Sequence, residues 1–287
     1  MKGTDPKRKC QMKKTILVTG GAGFIGSNFI RYILNKYDDY TIVNLDKLTY
    51  CGNLDNLKDI EKDKRHKFIK GDITDAKIVE KAAKYCDYII NFAAATHVDR
   101  SIEDPATFVK TNVFGTHVLL EATKKLKTKL MIQISTDEVF GSIAEGSFKE
   151  TDPLEPNSPY SASKAGADLL ARSYFVTYGL PVIITRSSNN FGPYQYPEKV
   201  IPLFITNLLQ GKKVPLYADG MNVRDWLYVI DNCEAIDLIL HKGKPGEIYN
   251  IGGTTEIANL ELTYNILEML GKDKRYIEYV KDRPGHD

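Results

Sequence analysis

A doubly wound α/β fold, a parallel sheet covered by helices on both faces, is what this chain of 287 residues predicts. Three observations carry the prediction. Short runs rich in Ile and Val alternate with helical patterns through the first two thirds of the chain, the rhythm of strands buried on both sides. The first run, TILVT at 15–19, leads straight into the glycine-rich TGGAGFIG and then a helical pattern near 24–36. After about residue 190 the rhythm breaks. Pro193, Pro197, Pro202 and Pro215 punctuate shorter elements there, so a smaller second region is expected.

In chain order, strands are predicted at 15–19, 41–46, 66–72, 88–93, 130–135 and 181–187, and helices at 24–36, 75–85, 104–126 and 160–178. Residues 12–190 are expected to form the first domain and 191–287 the second. Residues 1–11 read as an N-terminal extension without fixed structure. Lys plus Arg total 39 and Asp plus Glu 37, a net charge of +2, which argues against a surface built for nucleic acid or an anionic membrane. No apolar run approaches the roughly 20 residues that span a bilayer. Cys10, Cys51, Cys86 and Cys233 have neither metal nor redox spacing, as in free thiols of a reducing cytoplasm.

The glycines come first among the functional signals. Gly21, Gly23 and Gly26 fit G-x-G-x-x-G, and Gly20, Gly23 and Gly26 fit G-x-x-G-x-x-G. Many such patterns are ordinary turns. Here a strand precedes, a helix follows, and Asp46 ends the next strand 20 residues beyond Gly26. Glycine permits close backbone approach to a pyrophosphate, and the helix N-terminus offers free N–H groups to it. Asp46 suits a ribose diol and repels a 2′-phosphate. The pattern therefore predicts a Rossmann-type fold with NAD rather than NADP, although Lys47 adjoins the acid. No G-x-x-x-x-G-K-[ST] supports an ATPase.

PYSASKAGAD (159–168) places Tyr160 and Lys164 one helical turn apart on one face. A surface pair is the plain reading. The chemical one is a phenol with its pKa of about 10 lowered by an ammonium: at about 4 Å and an effective dielectric of about 20 the attraction is roughly 4 kcal/mol, or about three pKa units. Thr136, 24 residues upstream at a strand's C-terminal edge, is placed to orient a substrate hydroxyl. Beside it, Asp137 and Glu138 follow the apolar run LMIQIS. They either decorate a solvated turn or divide acid and base work.

Taken together, NFAAATHVDRSI (91–102), TNVFGT (111–116), STDEVFG (135–141), SPYSASKAGAD (158–168), RSSNNFGPYQYPEKVIPL (186–203), DGMNVRDWLYVID (219–231), GEIYNIGG (246–253) and DRPGHD (282–287) resemble the nucleoside-diphosphate-glucose 4,6-dehydratases, especially those acting on dTDP-glucose, within the extended short-chain dehydrogenase/reductase family. The resemblance runs from about residue 14 to the last. It implies a catalytic set of Thr136, Asp137, Glu138, Tyr160 and Lys164. NAD would be lined by Gly20, Gly23, Phe24, Ile25, Gly26, Asp46, Lys47, Leu48, Thr49, Asp72, Ile73, Ala93, Ala94, Thr111 and Asn190, with Tyr160 and Lys164. The sugar nucleotide would be held by Thr96, Thr136, Asn189, Lys199, Val200, Pro215, Tyr217, Arg224, Asn259, Arg283 and His286; Arg and Lys suit a diphosphate. A homodimer joined through the helices near 104–126 and 160–178 is implied too. His97 and His286 show no metal-ligand grouping.

Two departures stand out. The family reads AAESH where this chain has AAATH, so Thr96 keeps the hydroxyl but Ala95 lacks the carboxylate. The sequence also ends directly after DRPGHD, where family members continue for some tens of residues. The implied chemistry is oxidation at C4 by NAD with Tyr160 as base, loss of water across C5 and C6 with Glu138 as base and Asp137 as acid, then reduction at C6. UDP-glucose is an alternative substrate. A nucleoside-diphosphate-sugar 4-epimerase would share Tyr160 and Lys164 but has no use for the carboxylate pair, and a non-catalytic NAD-binding regulator would need neither.

Overall fold

The computed structural model describes residues 13–143 and 145–282. Residues 1–11, Arg283 and His286 lie outside them. Seven parallel strands form the main sheet: β1 (Lys14–Thr19), β2 (Tyr40–Asp46), β3 (His66–Lys70), β4 (Tyr88–Asn91), β5 (Leu130–Thr136), β6 (Val182–Ser187) and a strand, Ile248–Ile251, from far down the chain. That last strand pairs with β6, giving the spatial order 248–251, β6, β5, β4, β1, β2, β3. The sheet direction of winding reverses between β1 and β4, and a ligand crevice forms at such a switch point.

Both faces are covered, which is why the central strands are mainly apolar, while the edge strand β3, HKFIK, is half exposed. Alternation along β1 sends Ile16 and Val18 to one side and Leu17 to the other. The first side packs against α1 (Phe24–Lys36) through Phe29, Ile30 and Ile33, and against a helix at Val229–Lys242 through Ile236 and Leu240. The second side meets α2 (Ala76–Ala83), the helix at Gly115–Leu126 and the helix at Pro159–Tyr178 through Val79, Leu119, Leu120 and Ala171.

The predicted strands and helices are present with small shifts at their ends, apart from the helix predicted at 104–126. That stretch is α3 (Val98–Glu103), α4 (Pro105–Phe108), a wide π turn at Val109–Phe114 and α5 (Gly115–Leu126). Asp104 breaks the first two apart and caps α4, accepting from Thr107 N at 3.3 Å. Within the wide turn the Asn112 side chain serves other segments: it accepts from Ala95 N at 2.8 Å and donates to Ala95 O at 3.0 Å and Ser163 Oγ at 2.8 Å. The strand predicted at 88–93 stops at Asn91, and that at 66–72 stops at Lys70.

The helix at Pro159–Tyr178 is α6. Ser158 caps it reciprocally with Ser161, Pro159 occupies its first turn, and Gly179 at φ +63° ends it. Beyond β6 come β7 (Asn189–Phe191), α7 (Val200–Leu209), β8 (Val214–Tyr217), β9 (Val223–Tyr228) and α8 (Val229–Lys242). They are followed by β10, the 248–251 strand, then β11 (Glu256–Ala258), α9 (Asn259–Met269) and β12 (Ile277–Val280). A three-stranded sheet, β11-β9-β7, and the pair β12-β8 form a second layer. α7 and α9 close it around Phe204, Leu208, Val214, Ile266 and Leu267.

Candidate active site

At the switch point, Gly20 has φ +70° and lies against the chain leaving β4: an added Cβ would sit 2.6 Å from Ala93 N. Gly26 is as tightly placed, since a Cβ there would come 2.9 Å from Gly21 Cα. α1 begins at Phe24 with Gly23 as its cap and no side chain bonded to its first N–H groups, and its first turn holds no acid. Those amides are available to an anion. Asp46 folds back over this loop, accepting from Ala22 N at 2.9 Å and Leu48 N at 2.7 Å. Burial raises its pKa, and the two amide bonds oppose the rise. Each carboxylate oxygen keeps a second lone pair for a ribose diol. Lys47 pairs with Asp72 at 2.8 Å instead of with Asp46, so it leaves the diol acid uncompensated. Ile73 is buried in the core cluster that includes Leu45; Leu48 and Thr49 follow Asp46 in the chain, and Ala93 lies against Gly20. Asn190 on β7 accepts from Asn232 at 2.8 Å.

The carboxylate pair sits next to this crevice. β5 ends at Thr136, whose hydroxyl caps a short 3₁₀ turn, Asp137–Phe140, by accepting from Glu138 N at 3.3 Å. Thr136 also donates to Asp137 Oδ1 at 3.2 Å. Neither acid is on the outer surface of a turn: both line a cavity of about 600 Å³ with Arg186, Asn189, Arg224 and Asn250. Burial, then the charge of Glu138, raises the Asp137 pKa to about 7, against the pull of Thr136, the Glu138 amide and Arg224. A carboxyl that titrates near neutrality can donate a proton as well as hold a charge.

Tyr160 stands in the first turn of α6. Burial raises its pKa, as do Glu138 and Asp137, and hydrogen bonding by Thr136 works the other way. Lys164 is 5% exposed and donates to the Ile134 carbonyl, and burial lowers its pKa to about 8 while Asp168 partly offsets the fall. The two side chains lie one turn apart on α6, and the Lys164 ammonium is anchored by the Ile134 carbonyl.

The substrate candidates fall into two groups. Arg224, on β9, and Asn189, on β7, join the cavity of Asp137 and Glu138. Asn259 opens α9 and donates through its amide to Asn222 O, two residues from Arg224. Pro215 and Tyr217 share the half-buried face of β8. Thr96, Lys199 and Val200 lie on the other rim, where Lys199 depresses the His97 pKa after burial itself. There Tyr50 donates to Thr96 O at 3.2 Å and to Glu198 Oε1 at 2.9 Å, and Arg100 lies 3.9 Å over the Tyr50 ring. Tyr50, Arg100 and Glu198 were not anticipated, because they come from three distant segments. Nor was Arg186, which bonds Asp168 behind Lys164. The one sequence signal for that pair is Asp168 at one turn from Lys164.

The family model described as GDP-mannose 4,6 dehydratase matches residues 17–287. Among curated proteins, the low-salt glycan biosynthesis protein Agl12 of Haloferax volcanii is 54% identical over 95% of this chain and 87% of its own length. The dTDP-glucose 4,6-dehydratase of Streptomyces antibioticus is 52% identical over 95% and 82%. Among solved structures, DesIV, a dTDP-glucose 4,6-dehydratase from Streptomyces venezuelae with NAD and TYD bound, superposes with a TM-score of 0.93 at 51% identity, covering 95% of this chain and 86% of that one. On this agreement across nearly its whole length, the chain belongs to the nucleotide-sugar 4,6-dehydratase family, beside the members that act on dTDP-glucose.

Proposed function

We propose that the protein is an NAD-dependent dTDP-glucose 4,6-dehydratase, converting the sugar nucleotide to its 4-keto-6-deoxy form. Relatives with that activity support the reading. The observation that carries it is the neighbouring acid pair: Asp137, with a pKa near 7, and Glu138 share one cavity beside Tyr160. An epimerase has no task for them.

The crevice fits NAD: the uncapped start of α1 faces a pyrophosphate, Gly20 and Gly26 leave no room for side chains, and Asp46 presents free lone pairs to a diol. Bound there, NAD would supply the hydride acceptor for C4 and, once reduced, the hydride donor for C6. Tyr160 removes the C4 hydroxyl proton, with Thr136 orienting that hydroxyl. Lys164, fixed on Ile134 O, contributes charge from behind. Oxidation makes the C5 proton acidic, because it is then α to a carbonyl. Glu138 takes that proton. Asp137, neutral below about pH 7, gives one to the departing C6 hydroxyl. Arg224 and Lys199 hold the diphosphate from opposite rims, within the region from residue 191 onward that we assign mainly to the sugar nucleotide.

We also propose a homodimer. The outward side of the π turn and α6 exposes Val109, Phe114, Leu169 and Val176, a patch suited to a second copy across a two-fold axis. Among the described residues no helix is long and apolar enough to cross a membrane. Cys51, Cys86 and Cys233 are free, which suits a cytoplasmic setting. Incubation with dTDP-glucose and with UDP-glucose, followed by product identification, tests the central reading. The 4-keto-6-deoxy sugar forms from the thymidine nucleotide without net accumulation of reduced cofactor. Clean interconversion to a galactose nucleotide would overturn it.

A further inference from the structure

Lys164, Asp168 and Arg186 are three charged residues buried together, at 5%, 1% and 4% exposure. A buried ion pair is weak as a source of stability, because desolvation of both charges offsets their attraction. Its retention here calls for another account, and the contacts of Arg186 supply one. Its Nε donates to Asp168 Oδ2 at 3.0 Å, and Asp168 lies one turn along α6 from Lys164. Its guanidinium lies 4.7 Å over the ring of Phe140, the last residue of the turn that bears Asp137 and Glu138. Phe140 stacks in turn on Phe148 at 4.8 Å. Nη1 donates to Glu150 O at 3.3 Å, in the segment that follows that turn along the same cavity. One planar cation thus touches the backing of the Tyr160–Lys164 pair and the end of the acid–base turn.

We propose that Arg186 is a positioning residue for both halves of the reaction: it holds the Asp168 carboxylate away from Lys164, and it props the Asp137–Glu138 turn through Phe140. The inference rests on the dehydratase reading. The two tasks need different chemistry. Occupying Asp168 needs a charge; supporting Phe140 needs a flat one, because an ammonium cannot stack on a ring as a guanidinium does. Without Arg186, Asp168 is drawn to the Lys164 ammonium and pulls it from the Ile134 carbonyl.

The test compares Arg186→Lys, Arg186→Met and the double variant Arg186→Met/Asp168→Asn with the unaltered protein. Three quantities are read: bound NAD per chain, single-turnover oxidation at C4 followed by the absorbance of reduced cofactor, and deuterium uptake at C5. Misplacement on the ångström scale lowers a rate by about 10²-fold. Arg186→Lys keeps oxidation and loses C5 exchange. Arg186→Met loses both. The double variant, with no stray carboxylate, regains oxidation but not exchange. Bound NAD stays constant throughout. Proportional loss of all three quantities in every variant would mean a merely structural pair, and unchanged rates in Arg186→Met would mean no role; either overturns the inference. If the unaltered protein makes no 4-keto-6-deoxy product, the dehydratase reading itself falls, and the inference with it.

Discussion

Asp137 shows how one residue trades stability for chemistry. Its carboxyl rises from 3.8 to about 7, chiefly through burial and then through Glu138. The folded state therefore holds the proton more tightly than the unfolded chain does. Its contribution is unharmed below about pH 4 and becomes destabilising as pH climbs toward 7, since three pKa units correspond to about 4 kcal/mol as an upper bound. Asp137→Asn, which cannot ionise, should melt higher than the unaltered protein at pH 8, and the gain should vanish near pH 4 in a calorimetric series. The same variant slows loss of the C6 hydroxyl while oxidation at C4 continues. Glu138→Gln fails differently, losing C5 deuterium exchange. Wild-type behaviour of both variants would return the pair to a solvated turn. Tyr160→Phe preserves shape and removes the base, so oxidation should fall by about 10²–10⁴-fold with NAD still bound. The sequence singles these residues out by type and spacing, the two acids by their place after a strand. Lys164 is expected from the same spacing as Tyr160; the bond of its ammonium to the Ile134 carbonyl is a matter of packing that spacing does not report.

At the scale of elements, legibility followed how local each cause is. α1 was read to its first and last residue because the glycine turn and the apolar spacing lie within its own stretch. The break in the 104–126 helix depends on Asn112 reaching Ala95 and Ser163, contacts that no periodicity reports. β10 carries little strand signal of its own, because IYNI is four residues long with one amide and its partner β6 lies some sixty residues earlier. α6 offers a test at this scale. The reciprocal Ser158–Ser161 cap fixes the helix start at Pro159, one residue before Tyr160. Ser158→Ala should cost about 1 kcal/mol in a denaturant titration. It should also slow C4 oxidation, with C5 exchange falling in step because exchange follows oxidation.

Over the whole molecule, the exposed apolar face of α6 predicts assembly. Leu169→Asp places a charge where the face would be covered, and light scattering at micromolar concentration should then report a monomer where the unaltered chain gives a dimer. A monomer in both would remove the assembly proposal and leave the chemistry untouched.

The parallel pairing of β10 with β6 has a consequence for how the protein is made. During synthesis the ribosome delivers the glycine turn, the acid pair and Tyr160 well before Ile248 emerges. Until then β6, six residues buried in the finished fold, presents an unpaired border to other nascent chains. Stalling or cutting the chain between α8 and β10 should therefore give insoluble material despite an intact dinucleotide motif, whereas supplying residues 244–282 as a separate fragment should restore solubility.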